Sequence, residues 1–159
     1  MPEVFANTTP LQYLHRLGRL NWLPEFYGKI VVSTAVADEL EAGRRLGARV
    51  PDLTAFPWIE IRRPPEPMPA FPRFIHRGEA EVLALARAAD APLVIIDDLM
   101  ARAQAQAFGL RCAGTLGVIL RAKREQRVAR IAPVLAQLQA EGFRIATVTL
   151  ADVLRLAGE

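Results

Sequence analysis

Five side chains of this sequence could gather to do chemistry: Asn7, Glu39, Glu79, Asp97 and Asp98. Asp97 and Asp98 directly follow the apolar run Leu93-Val94-Ile95-Ile96. A continuous apolar run of that length reads as a strand inside a parallel sheet, so both carboxylates stand at its carboxyl end. There they face a crevice, where charge removed from water needs a counter-ion. Glu39 lies within Val36-Ala37-Asp38-Glu39-Leu40, and Glu79 and Glu81 open the helical pattern Gly78-Glu79-Ala80-Glu81-Val82. Three or four such oxygens meeting at one point would repel unless Mg²⁺ or Mn²⁺ stood between them. Simpler roles stay open for each. Asp98 is also placed to cap the following helix, and an acid in a first helical turn is favoured by the macrodipole alone.

The elements that would bring these residues together alternate along the chain. Val4-Phe5-Ala6 reads as a strand, and Asn7-Thr8-Thr9-Pro10 as the turn into a helix, with Thr8 or Thr9 as N-cap and Pro10 at its first position. A short helical turn from Leu20 to Phe26 closes at Gly28. Lys29-Ile30-Val31-Val32 is a β-branched strand, after which Ser33 or Thr34 caps a helix that ends near Gly43. Trp58-Ile59-Glu60-Ile61 alternates as a strand, and the proline-rich segment 64–69 is an exposed connector. Helical patterns follow over 78–89 and 99–108, separated by the Leu93–Ile96 strand. Leu110-Arg111-Cys112 is a further strand, and helices dominate from about 115 to the end, over 128–141 and 150–156 among others. Strands separated by helices predict a three-layer α/β/α domain over 1–159, with a central, mostly parallel sheet of about five strands. In such sheets the site lies beyond the carboxyl ends of the strands. The residues there are Asn7-Thr8-Thr9, Ser33-Thr34, Asp97-Asp98 and Gly114-Thr115.

Composition is compatible with that frame. The 159 residues are 52% hydrophobic, enough for a substantial core. The single cysteine, Cys112, cannot form an internal disulfide. The opening Met1-Pro2-Glu3-Val4-Phe5 lacks the basic segment and long apolar stretch of a signal peptide. No apolar run approaches the roughly 18–20 residues of a membrane span. A cytoplasmic protein without membrane attachment is the expectation. Net charge is +3, and Arg121, Lys123 and Arg124 cluster with Arg127 and Arg130 on a basic segment that would attract a polyanion such as RNA. A solvated helix surface has the same composition.

Four of these segments, in this order, resemble the motifs of PIN domains. Val4-Phe5-Ala6-Asn7-Thr8-Thr9 resembles the first-strand motif, Val32-Ser33-Thr34-Ala35-Val36-Ala37-Asp38-Glu39-Leu40 the second, Gly78-Glu79-Ala80-Glu81-Val82 the third and Leu93-Val94-Ile95-Ile96-Asp97 the fourth. Gly114-Thr115-Leu116-Gly117-Val118 and the basic helix after it look like a prokaryotic PIN-like subfamily, and the resemblance covers about residues 3 to 145. It implies metal-dependent hydrolysis of single-stranded RNA. Glu39, Glu79 and Asp97 would be catalytic and would hold Mg²⁺ or Mn²⁺ with help from Asn7 and Asp98. Thr8, Thr9 and Glu81 would support that shell, and Arg121, Lys123 and Arg124 would hold the nucleic acid. One departure stands out: Asn7 occupies the place where many members carry aspartate. An amide oxygen brings no negative charge, which weakens a metal site. The alternative implied by that departure is a PIN-fold module that binds RNA or a partner protein without cutting.

The resemblance further implies a cognate antitoxin as partner and a homodimer, with Trp22, Phe26 and Tyr27 as contact residues or, more simply, as core. His15, His76 and Cys112 fall in no catalytic arrangement. A phosphoacceptor receiver domain, or a phosphatase with an aspartate nucleophile, needs acids after the first strand, and Asn7-Thr8-Thr9 supplies none. Nucleotide-binding folds need a glycine-rich first turn, also missing here.

Overall fold

The computed structural model describes residues 2–159. Met1, the first residue of the stretch read above for a leader, lies outside the described residues. Five strands, β1 (Val4–Ala6), β2 (Ile30–Ser33), β3 (Ile59–Arg62), β4 (Leu93–Ile95) and β5 (Arg111–Ala113), form one sheet in the order β3-β2-β1-β4-β5. Every neighbouring pair is parallel. Parallel pairing forces each connection to cross over, and helices supply most of those crossovers. They are α1 (Thr8–Arg16), α2 (Trp22–Tyr27), α3 (Thr34–Arg45), α4 (Arg77–Arg87), α5 (Leu99–Ala107), α6 (Thr115–Arg124), α7 (Ala132–Ala140) and α8 (Thr147–Leu156). The result is the expected three-layer α/β/α architecture. No helix among the described residues is long and apolar enough to cross a membrane.

The core explains why these short strands hold. All three β1 residues and all four β2 residues are buried. Buried on both faces, they show the unbroken apolar runs of a covered parallel sheet rather than an alternating pattern. α4 packs against β1, β2 and β4 and is buried from Gly78 to Ala86, so it crosses the middle of the sheet. That central position carries Glu79 and Glu81 to the sheet edge. Trp22 and Phe26 are buried, which makes them core.

Several boundaries differ from the sequence expectation for local reasons. α1 begins at Thr8 with Asn7 as its N-cap, so Pro10 stands inside the first turn rather than at its first position. Ser33 is the cap of α3, its hydroxyl accepting from Val36 N at 3.2 Å. α3 runs through Gly43 to Arg45, since a helical glycine costs only about 1 kcal/mol and burial of Val36 and Leu40 outweighs it. α7 starts only at Ala132, where Pro133 is tolerated in a first turn. Gly28 closes α2 with φ of 71°, a conformation that glycine adopts without strain.

Candidate functional site at the carboxyl edge of the sheet

β1 ends at Ala6, and the backbone N–H of Asn7 donates to Ile95 O of β4 at 3.0 Å, which fixes Asn7 at the strand end. Asn7 lines a pocket of about 320 Å³ together with Thr8, Thr9, Gln12, Glu39, His76 and Glu79. The Oδ1 atom of Asn7 is buried and has no hydrogen-bond partner. Glu39 reaches the same pocket from α3, where its Oε2 accepts from the Thr8 hydroxyl at 2.7 Å. Glu79 reaches it from the first turn of α4, and its Oε2 accepts from the backbone N–H of His76 at 2.9 Å. Burial pushes the Glu79 carboxyl above the usual range, the His76 bond opposes this, and the charges of Asp98 and Glu39 add to it.

The Glu39 carboxylate can stand where it does because residue 78 has no side chain. A Cβ on Gly78 would stand 2.6 Å from Glu39 Oε1 and 3.5 Å from Asn7 Oδ1. Gly78 therefore leaves space for the Glu39 carboxylate, a role that sequence reading did not assign to it. Gln12 and His76 were likewise missed as lining residues. His76 is the N-cap of α4, and the missing signal was that the residue just before an acidic first turn shares the strand-end face.

Asp97 is placed differently. Its Oδ1 accepts from the backbone N–H of Thr115 and its Oδ2 from the Thr115 hydroxyl, both at 2.7 Å. A Cβ on Gly114 would lie 2.8 Å from Asp97 Oδ1, so the carboxylate is closed in on that side. It lines a second cavity with Leu99, Arg102, Leu116 and Ile145 instead of the Asn7 pocket. Burial pushes its carboxyl upward, opposed by the two Thr115 bonds and by the Arg102 charge. Asp98 caps α5, its Oδ1 accepting from Ala101 N at 2.9 Å. Glu81 turns away to α3, where its Oε2 accepts from Ala35 N at 2.7 Å and from the Thr34 hydroxyl at 3.3 Å. Arg77 pairs with the other Glu81 oxygen at 3.3 Å.

These positions correct the expectation of Mg²⁺ or Mn²⁺. Among the described residues, no group of three or more His, Cys, Asp or Glu side chains is placed to hold a metal ion. The physical reason is visible in the donor set. Asn7 contributes a neutral amide, Asp97 has both oxygens committed to Thr115, Asp98 is spent on a cap and Glu81 on another. Glu39 and Glu79 remain as the acids of the Asn7 pocket, one short of a group of three.

The basic segment is partly engaged within the fold. Arg121 lies over the Tyr27 and Phe26 rings at 4.8 and 5.2 Å and pairs with Glu125 at 3.3 Å. Lys123 donates to Ala129 O at 2.6 Å and pairs with Glu159 at 3.3 Å. Arg124 is exposed.

Comparison with known families agrees with the fold. A family model described as a PIN domain (DUF3368) matches residues 3–159. No match was found among curated proteins.

Proposed function

Because the chain belongs to the PIN-domain family DUF3368, we propose that it is a PIN-fold binding module whose Asn7–Glu39–Glu79 pocket takes up a cationic side chain of a partner protein without cleaving RNA. The observation that carries this reading is the unpartnered Oδ1 of Asn7 beside two glutamates. A buried acceptor left unmade costs about 1–3 kcal/mol, which a donor from outside would recover. An ammonium or guanidinium group brings several N–H donors together with positive charge. It therefore suits one amide oxygen and two carboxylates. A phosphodiester brings negative charge to the same carboxylates and is disfavoured by Coulomb repulsion. The antitoxin implied by the resemblance is one protein that would present such an arginine or lysine.

Hydrolysis of single-stranded RNA is a second reading, and the family itself favours it, since its superfamily includes nucleases. One experiment separates the two. Isotope-labelled protein is titrated with butylguanidinium, and labelled single-stranded RNA is incubated with the protein, with and without divalent cation. The binding reading expects saturable shifts at Thr8, Glu39 and Glu79 that vanish in the Glu39→Gln/Glu79→Gln double variant, and intact RNA. RNA cleavage that disappears in Glu79→Gln would replace it with the hydrolytic reading. A titration without shifts would remove the cationic occupant altogether.

A further inference from the structure

β3 closes one side of the sheet, and its outer edge has no neighbouring strand among the described residues. Which of its backbone groups point outward can be read from β2. The Ile30 N–H donates to Trp58 O at 2.9 Å, and Ile30 stands beside Ile59. In a parallel ladder the N–H and C=O of one residue point to the same side, and successive residues alternate. Trp58, Glu60 and Arg62 therefore face β2, while Ile59 and Ile61 turn theirs outward. The Ile59 N–H is taken by Phe56 O at 3.1 Å. That leaves Ile59 O and both backbone groups of Ile61, which no hydrogen bond engages among the described residues. Arg63 is the next residue of outward parity, and Pro65 after it carries no N–H. The free edge is short.

The side chains on this edge match their own reverse order. Glu60 and Arg62 stand on one face of the strand, Ile59 and Ile61 on the other. Glu60 accepts from Arg62 Nε at 2.9 Å and pairs with Lys29. Arg62 Nη2 donates to Glu3 at 3.0 Å, which leaves its Nη1 uncommitted among the described residues. Ile61 is 48% exposed and lines a cavity of about 400 Å³ with Ala37, Leu40 and Leu53. The charged lining of that cavity, Asp38, Glu41 and Asp52 against Arg44 and Arg45, is mixed in sign and selects neither a polyanion nor a polycation.

We propose that β3 pairs with β3 of a second copy, antiparallel about a twofold axis through Ile61, which joins the two five-stranded sheets into one. In that register the two Ile61 residues exchange both of their N–H···O bonds, and each Ile59 O meets the N–H of the other copy's Arg63. Glu60 of each copy stands opposite Arg62 of the other. On the second face the two Ile61 side chains meet, with Cβ atoms about 4.5–5.5 Å apart. Moving the axis by one residue either way sets Glu60 opposite Glu60 or Arg62 opposite Arg62, and like charges directly opposite destabilise a pair. Only the axis at Ile61 sets opposite charges against each other, and this match of the strand with itself selects a second copy as the occupant. Such a contact is isologous and closes at two copies. It uses none of the residues that line the Asn7 pocket, so it stands or falls apart from that reading.

Sedimentation velocity of the full chain from about 1 μM to about 1 mM tests this, with amide hydrogen exchange followed at Ile61. The chain should run as a monomer at the low end and a dimer at the high end, and Ile61 exchange should slow as the dimer forms. Ile61→Lys, at an exposed position, should raise the midpoint concentration at least about tenfold, because it sets two ammonium groups across the axis. Glu60→Arg and Arg62→Glu should each stay monomeric alone, yet associate when mixed, since the mixture restores opposite charges across the axis. Circular dichroism verifies folding, and Ile61→Lys keeps the test open if loss of the Lys29 or Glu3 pairing unfolds a charge variant. A monomer at every concentration, a dimer indifferent to Ile61→Lys, an Ile61 amide that ignores concentration, or folded charge variants that do not associate when mixed would each overturn the proposal. The monomer is also titrated with the extended peptide Val-Thr-Val-Thr-Val. A chain that never dimerises but shifts its Ile61 amide signal with this peptide would overturn the proposal in favour of a strand from another protein.

Discussion

Replacing Asp97 separates a structural role from a chemical one. In Asp97→Ala, the buried Thr115 N–H and hydroxyl lose the two oxygens that they meet at 2.7 Å. Hydrogen bonds to a charged group contribute about 1.5–3 kcal/mol each, and part of that is offset because the variant no longer removes a carboxylate from water. The balance is a loss of about 2–4 kcal/mol, or very roughly 4–16 °C in melting temperature for a chain of this size. Asp97→Asn is the informative companion. Its oxygen still accepts from Thr115 N and its amide donates to the Thr115 oxygen, so stability should stay within about 1 kcal/mol of wild type. The pH dependence has a definite sign. Burial raises the folded carboxyl above its unfolded value. Its contribution is therefore fully present below the unfolded value and is lost as pH rises through the folded one. Wild type should lose ground to Asp97→Asn as pH rises above the ordinary carboxylate range. Urea unfolding at several pH values measures all of this. Alanine and asparagine variants of equal stability would refute the Thr115 clamp.

Three further outcomes follow from named contacts. Glu79 is also raised in the fold, so its contribution is present below the unfolded carboxylate value and lost as pH rises. Glu79→Gln, which keeps an oxygen for His76 N, should be more stable than wild type at pH 7 by about 1 kcal/mol or less, an advantage that thermal melts should find gone near pH 4. Gly78→Ala adds a methyl 2.6 Å from Glu39 Oε1, the far end of a flexible side chain. The protein should stay folded by circular dichroism while butylguanidinium binding falls, and unchanged binding would mean that Glu39 does not form the pocket. Ser33→Ala removes the cap on Val36 N and should cost about 1 kcal/mol in urea unfolding.

Strand identity was legible because burial on both faces leaves an unmistakable run, as in Ile30–Ser33 and Leu93–Ile95. Motif order then placed Asn7, Glu39 and Glu79 at one sheet edge, where the structure has them lining one pocket. The direction of each side chain was not legible. Asp97 turns to Thr115, a residue eighteen positions on that β5 brings alongside only in the folded sheet. Glu81 was read as support for the same shell, but a helix turn separates Glu79 and Glu81 by about 200° of rotation. Its carboxylate therefore meets the start of α3. The metal expectation failed at that level, through rotamers and caps rather than through the fold. Helix starts shifted where a polar residue outcompeted proline as the boundary, as Asn7 did ahead of Pro10.

The placing of β1 at the centre of the sheet has a consequence for synthesis. Val4, Phe5 and Ala6 leave the ribosome before either of their partner strands, yet Val4 pairs with Ile30 on one side and Leu93 on the other. Until translation has passed Ile95, one edge of this apolar ribbon has no neighbour, and such unpaired edges are the surfaces on which chains aggregate. Contacts of such long separation also slow folding, because the loop must close before the pairing rewards it. β1 is thus made before both of its neighbours and gains the second only with β4.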